Sequence, residues 1–214
     1  MLQPNLPQAL RDEMLEDTVA EAMDEDRDIE ACRFYGEDMP DGKGEAVEFS
    51  GCHFEKCGFQ AFRGNRWAFV DCVLEKCDLS GSVFHQCTFQ RVVFHQCRMT
   101  GAQFSESPLL NVQFNECQLD LSSFGDIKAQ HVLFSDCVMK ECGFFRFQWK
   151  DWILRSCMMK RVEFQETLLR SLDVTSCDIE GMAVDLPAVR GMIVTRDQAM
   201  MLTGLLGVVV VNKD

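Results

Sequence analysis

No stretch of this 214-residue chain approaches the roughly 20 consecutive apolar residues that a membrane helix needs. The longest apolar run, from Leu205 to Val211, is far too short. The first residues lack the basic and then apolar order of a secretory signal, so a cytoplasmic location is the expectation. The Gly-x-x-x-x-Gly-Lys phosphate loop, the Gly-x-Ser-x-Gly elbow and the His-Glu-x-x-His zinc motif are all missing. Their absence argues against an enzyme, and no cofactor or metal is expected. An excess of base is missing too. There are 21 Lys and Arg against 34 Asp and Glu, so direct nucleic-acid binding through a basic surface is not expected. The acidity is uneven: residues 1–46 hold 14 acidic and 4 basic side chains, residues 47–185 hold 18 and 14, and the last 29 hold 2 and 3. Most of the charge belongs to the leader.

What the chain does have is a period. Every fifth residue from Phe49 to Val184 is apolar or small over 28 consecutive positions, and only Gly64 and Ala129 are not large. Thirteen of the 17 Phe lie on this lattice. Five fits neither the helix repeat of 3.6 nor the strand repeat of two, so each block must turn a corner. A short fixed period means a solenoid. Eleven of the 12 Cys lie two residues before a lattice position, and seven recur every 20 residues: Cys57, Cys77, Cys97, Cys117, Cys137, Cys157 and Cys177. Twenty is four blocks, which makes the simplest coil a square with one block per side. About seven such coils fit between residues 47 and 185, a rod of about 34 Å at ~4.8 Å per layer. Stacked equivalents stand ~4.8 Å apart with parallel Cβ vectors, whereas a disulfide needs Cβ atoms ~3.8 Å apart. The seven-membered core ladder is therefore expected as reduced, buried thiols in a reducing compartment. Trp67 and Trp149 are expected to fill the space left at Gly64 and Ala129.

Blocks such as Cys77-Asp78-Leu79-Ser80-Gly81, Cys87-Thr88-Phe89-Gln90-Arg91 and Cys177-Asp178-Ile179-Glu180-Gly181 run small, polar, large apolar, then two outward residues. In this the chain resembles the pentapeptide-repeat proteins, whose block is written A(D/N)LXX, with Cys serving as the small hydrophobe in place of Ala. The resemblance implies an all-β solenoid, a right-handed quadrilateral β-helix.

The flanks read differently. Pro7 suits a first helical turn, and Leu15, Val19, Ala22 and Met23 make one apolar stripe. A helix across roughly 7–25 is expected to cap the open first coil. Cys32 and Phe34 share the lattice phase, so a partial coil begins there before Gly36 to Gly44 interrupts it as a loop. The chain thus divides into a capping segment (1–46), the repeat rod (47–185) and a C-terminal module (186–214). In that module Thr195 and Gln198 form a capping box, Ala199 to Leu206 a short apolar helix, Gly207 its C′ residue, and Val208 to Val211 a short strand. This tail is similar to the C-terminal module of the quinolone-resistance (Qnr-type) branch of the family. That resemblance implies a homodimer joined through Met201, Leu202, Leu205, Leu206, Val208 and Val210. A plug over the last coil is the plainer alternative.

His85-Gln86-Cys87 and His95-Gln96-Cys97 look like duplicated metal pairs. The lattice points each Cys inward and each His outward, so one ion cannot be shared. Among the outward columns, one carries Val73, Val93, Leu133 and Ile153 between His53, Gln113 and Asp173, and is a candidate partner surface. Such a column also stabilises stacked strands without binding anything. The family resemblance implies two functions: binding DNA gyrase and topoisomerase IV, guarding them against quinolones or peptide toxins, or serving as a cytosolic scaffold, adaptor or secreted bacterial effector. The nearly balanced rod is a poor imitation of a duplex, which carries a charge every ~1.7 Å.

Overall fold

The computed structural model describes residues 1–43, 46–207 and 211. Nearly every block buries its central side chain and turns at the residue two places later, which takes left-handed backbone: Asp71 (φ 53°), Lys76 (φ 54°), Gly81 (φ 66°) and Gln86 (φ 53°) turn one coil. A left-handed non-glycine residue costs roughly 1–2 kcal/mol. The ladder offsets it, because the corner N–H donates to the next coil, as Asp71 does to the Gln90 carbonyl at 2.9 Å and Lys76 to the His95 carbonyl at 2.8 Å.

Four sides result. The first centres on Phe49, Phe69, Phe89, Leu109, Ala129, Trp149 and Leu169, the second on Phe54 and its successors, the third on Phe59 and the fourth on Gly64. Strands pair in parallel with residues 20 apart opposite each other, as in Phe89 with Leu109, Phe94 with Phe114 and Phe104 with Phe124. Strands such as Thr88–His95 and Gln148–Arg155 run across the first corner, so sides one and two share a sheet. The fourth side makes a second sheet. The third is joined by single bridges from Asp38–Gly58 to Met158–Asp178. Inside, equivalent rings stack face to face: Phe69 on Phe89 at 5.3 Å and 3°, Phe114 on Phe134 at 4.5 Å and 10°. The strand spacing of ~4.8 Å sets that separation, so the stacked Phe runs of the first, second and fourth sides pack against the Leu and Met of the third.

The solenoid is longer than the period in the sequence indicates, with about nine turns rather than seven. Ile29 pairs with Phe49 and Phe34 with Phe54, and the Met39 N–H donates to Gly58 at 2.7 Å. The expected loop from Gly36 is therefore already part of a coil. At the other end Ile193 pairs with Asp173 beyond the expected boundary at 185.

The leader also differs. Its helix, α1 (Leu15–Glu25), begins eight residues later than expected and buries Leu15, Thr18, Val19 and Ala22 over the first coil. Glu37 stands at the foot of the Cys ladder and accepts the Leu15 N–H at 2.6 Å. The preceding chain is extended, because Pro4 and Pro7 hold their neighbours out of helical backbone. It runs up the first corner, donating from Asn5 N–H to Asp71 and from Leu2 N–H to Asn111, both at 2.9 Å. At the C-terminus α2 (Arg196–Leu202) starts with the Thr195–Gln198 capping box, and a 3-10 turn (Thr203–Leu206) ends at Gly207 with φ 67°. Val208 and Val210, with the strand expected around them, lie outside the described residues.

Two core expectations are corrected. The space at Gly64 is taken by the Phe62 ring, with Trp67 packed edge-on behind it at 5.0 Å. Trp149 does not fill the core above Ala129. Trp152, three residues later on an inward position above Val132, is the ring that enters the core, packed against Phe134, Phe144 and Phe147 and 5% exposed, while Trp149 stays half-buried at the surface.

Candidate functional site

The thiols are the first group to place. All 12 Cys are free and buried. In the ladder the five Sγ atoms from Cys77 to Cys157 each donate to a backbone carbonyl one layer back, such as Cys77 to Phe54 at 3.4 Å, Cys97 to Leu74 at 3.3 Å and Cys137 to Phe114 at 3.3 Å. Ser107 and Thr167 do the same for Phe84 and Phe144 on another column. A small donor is what these inward positions need, and Cys supplies it while remaining apolar. Burial pushes the Cys87 thiol up to about 11 and Cys142 to about 12. These are structural thiols without the exposed, electropositive setting that makes a thiolate.

The histidines stay apart from the cysteines. His85 Nδ1 lies 3.0 Å from Ser105 Oγ on the outer surface, and His131 Nδ1 lies 3.0 Å from Asp151. Among the described residues no group of three His, Cys, Asp or Glu side chains could hold a metal ion. His53 is half-buried near Glu75, and desolvation lowers its pKa.

The outer charges follow the 20-residue register. Arg91 forks onto Asp71 with two contacts of 2.6 Å, Arg146 onto Asp126 at 2.6 and 2.7 Å, and Arg161 pairs with Glu141 and Lys160 with Glu180. Much of the rod's negative charge is thereby neutralised in place. Of the apolar outward column, Val73, Val93 and Leu133 are half-buried and only Ile153 is exposed, at 40%. The register explains this, since each apolar side chain covers the next. On the tail Met200 and Met201 are exposed, while Leu202 and Leu205 are half-buried. Gln198 plugs the last coil, its amide donating to the carbonyls of Val174 at 2.7 Å and Cys177 at 2.8 Å.

An apolar surface that the sequence reading placed in the core lies on the first side. Ala129 is small, Trp149 stands half-exposed beside it, and Leu168 is 68% exposed. The visible signal was the one small residue in a column of large ones.

Residues 47–124 match the family model described as a pentapeptide repeat region. No curated protein matches the sequence. Among solved structures, HetL, a pentapeptide repeat protein from the cyanobacterium Nostoc involved in regulating heterocyst differentiation, is 9% identical. It aligns with 78% of this chain and 89% of its own, with a TM-score of 0.42. Full-length QnrB1, a plasmid-mediated fluoroquinolone resistance protein, is 19% identical over 94% of this chain and 97% of its own, with a TM-score of 0.35.

Proposed function

We propose that this pentapeptide-repeat protein works as a rigid, non-enzymatic protein-binding rod of the cytoplasm. The observation that carries the reading is the unbroken 20-residue register. It holds every outward side chain in a fixed column, as a docking scaffold requires, and it spends the polar groups on the rod itself. Twelve free thiols support a reducing location. DNA mimicry has less support, because carboxylates such as Asp71, Asp126 and Glu141 are already paired with arginines.

Binding of DNA gyrase or topoisomerase IV is the specific form of the reading to test first, and the capped C-terminal helix leaves Met200 and Met201 exposed. Such a helix end could join two rods into a homodimer through Met201, Leu202 and Leu205. The test is gyrase supercoiling at micromolar protein, with and without a quinolone. Unchanged supercoiling and unchanged drug sensitivity are the expected outcome and leave the scaffold reading in place. Inhibition or protection would make topoisomerase the partner.

A further inference from the structure

Trp149 occupies a central lattice position yet is not in the core. Its Nε1–H donates to the Leu168 carbonyl at 2.7 Å, which fixes the indole at the surface of the first side. The ring separates two shallow depressions. The one toward the N-terminal end, about 480 Å³, is lined by Pro108, Leu110, Ala129 and Lys128. The other, about 540 Å³, is lined by Leu168, Arg170, Asp151 and Glu166. Gln148 and Lys150 border both. The physical origin is the exchange described above: Trp152 fills the core, Ala129 leaves a dent, and Trp149 lies over its rim. An exposed aromatic between apolar hollows is the composition of a binding hot spot rather than of an ordinary solenoid face.

The charges around it are equally uneven. Lys128, Lys150 and Arg170 are exposed, and among the described residues none has a carboxylate within 4.0 Å. Arg91, Arg146, Lys160 and Arg161 are paired across coils. Lys128 and Lys150 border the apolar hollow at Ala129, which no carboxylate lines, and Arg170 stands beyond Trp149; on a chain of net charge −13 these unpaired cations call for an anionic partner.

The geometry points to this surface as a docking site for an acidic peptide segment of a partner protein. An apolar side chain of the segment sits against Trp149 and Ala129, and flanking carboxylates reach Lys128, Lys150 and Arg170. The inference rests on the protein-binding reading and names its surface and partner class. A nucleic acid fits less well. Phosphate binding draws on many cations rather than three.

The test is selection of short random phage-displayed peptides on the immobilised full-length protein, scored against the double variant Lys128→Glu, Lys150→Glu. Both residues are exposed, and circular dichroism of the variant controls for folding. Expected are peptides with Asp or Glu around a Leu, Phe or Trp. They should bind the variant at least about tenfold more weakly, a difference of ~1.4 kcal/mol. They should also shield Trp149 from acrylamide quenching, which reports that residue because Trp67 and Trp152 are buried. Peptides that bind both proteins equally would overturn the surface while leaving the protein-binding reading standing. Selection of basic peptides, or displacement by oligothymidylate, would overturn the partner class. Binding by a synthetic peptide of residues 12–30 of this chain at the same site would make the occupant a second copy instead. No selected peptide at all would sink both the surface and the reading beneath it.

Discussion

At Asp71 one carboxylate serves two partners, the Arg91 guanidinium and the Asn5 N–H, and it is only 14% exposed. The hydrogen bonds from Arg91 hold its pKa below the ordinary carboxylate value, against the opposing effect of burial. A lowered folded pKa means that the stabilisation is present above the unfolded value of ~3.9 and is lost as pH falls through the folded one. Asp71→Asn should therefore cost about 1–2 kcal/mol at neutral pH and progressively less as the pH falls below ~3.9, read from urea melts at a neutral and an acid pH. An equal difference at both would show that the ion pair contributes nothing. The two tryptophans give a second residue-scale contrast. Trp152→Ala should cost about 3–5 kcal/mol by leaving a cavity, and the half-exposed Trp149→Ala roughly half that or less. Trp152→Phe should be milder than Trp152→Ala, since the buried Trp152 Nε1 has no hydrogen-bond partner to lose. Thermal or urea unfolding of the three variants decides the order.

At the scale of elements, the two ends carry the burden of closing an open stack. Gln198 satisfies two carbonyls that the missing next coil would have paired. Gln198→Leu should strand both and cost about 2–4 kcal/mol, more than a surface change on α2 allows. Faster hydrogen exchange confined to residues 172–178 would locate the damage, and uniform exchange across the rod would refute the plug. The leader does the same work at the other end with α1, Glu37 and the extended strap. Native labelling with a thiol reagent tests how tightly it closes. The ladder from Cys57 to Cys177 should react only after unfolding, and Cys32, beneath Arg11 in the first coil, should be the earliest to react if the leader opens. Fast native modification of Cys97 or Cys117 would contradict their burial.

For the whole molecule the open question of assembly has a direct readout. A twofold contact uses the same patch on both chains, so one substitution acts twice. Leu205→Glu should convert a dimer to a monomer in sedimentation velocity, with the β-rich circular dichroism of the rod unchanged. An unmodified protein that already sediments as a monomer rules out the homodimer.

The five-residue period determined the solenoid by itself. Only a four-sided coil puts Cys57 to Cys177 in one column, and an inward centre with a corner two residues later follows from steric rules that act locally. The capping box at Thr195 and Gln198 was legible for the same reason, since its partners are three residues apart. The coil at Ile29, Phe34 and Met39 keeps the five-residue spacing but was legible only in part, because Gly36, Pro40, Gly42 and Gly44 read as a loop until pairing with a finished neighbour fixes the register. The strap along the first corner depends on Asp71 and Asn111, far from it in sequence. The exchange between Trp149 and Trp152 was decided by packing alone. Position 149 is the large centre of its block and 152 the small inward site, so the pattern places Trp149 inside, yet the core takes the Trp152 ring and Trp149 is left at the surface.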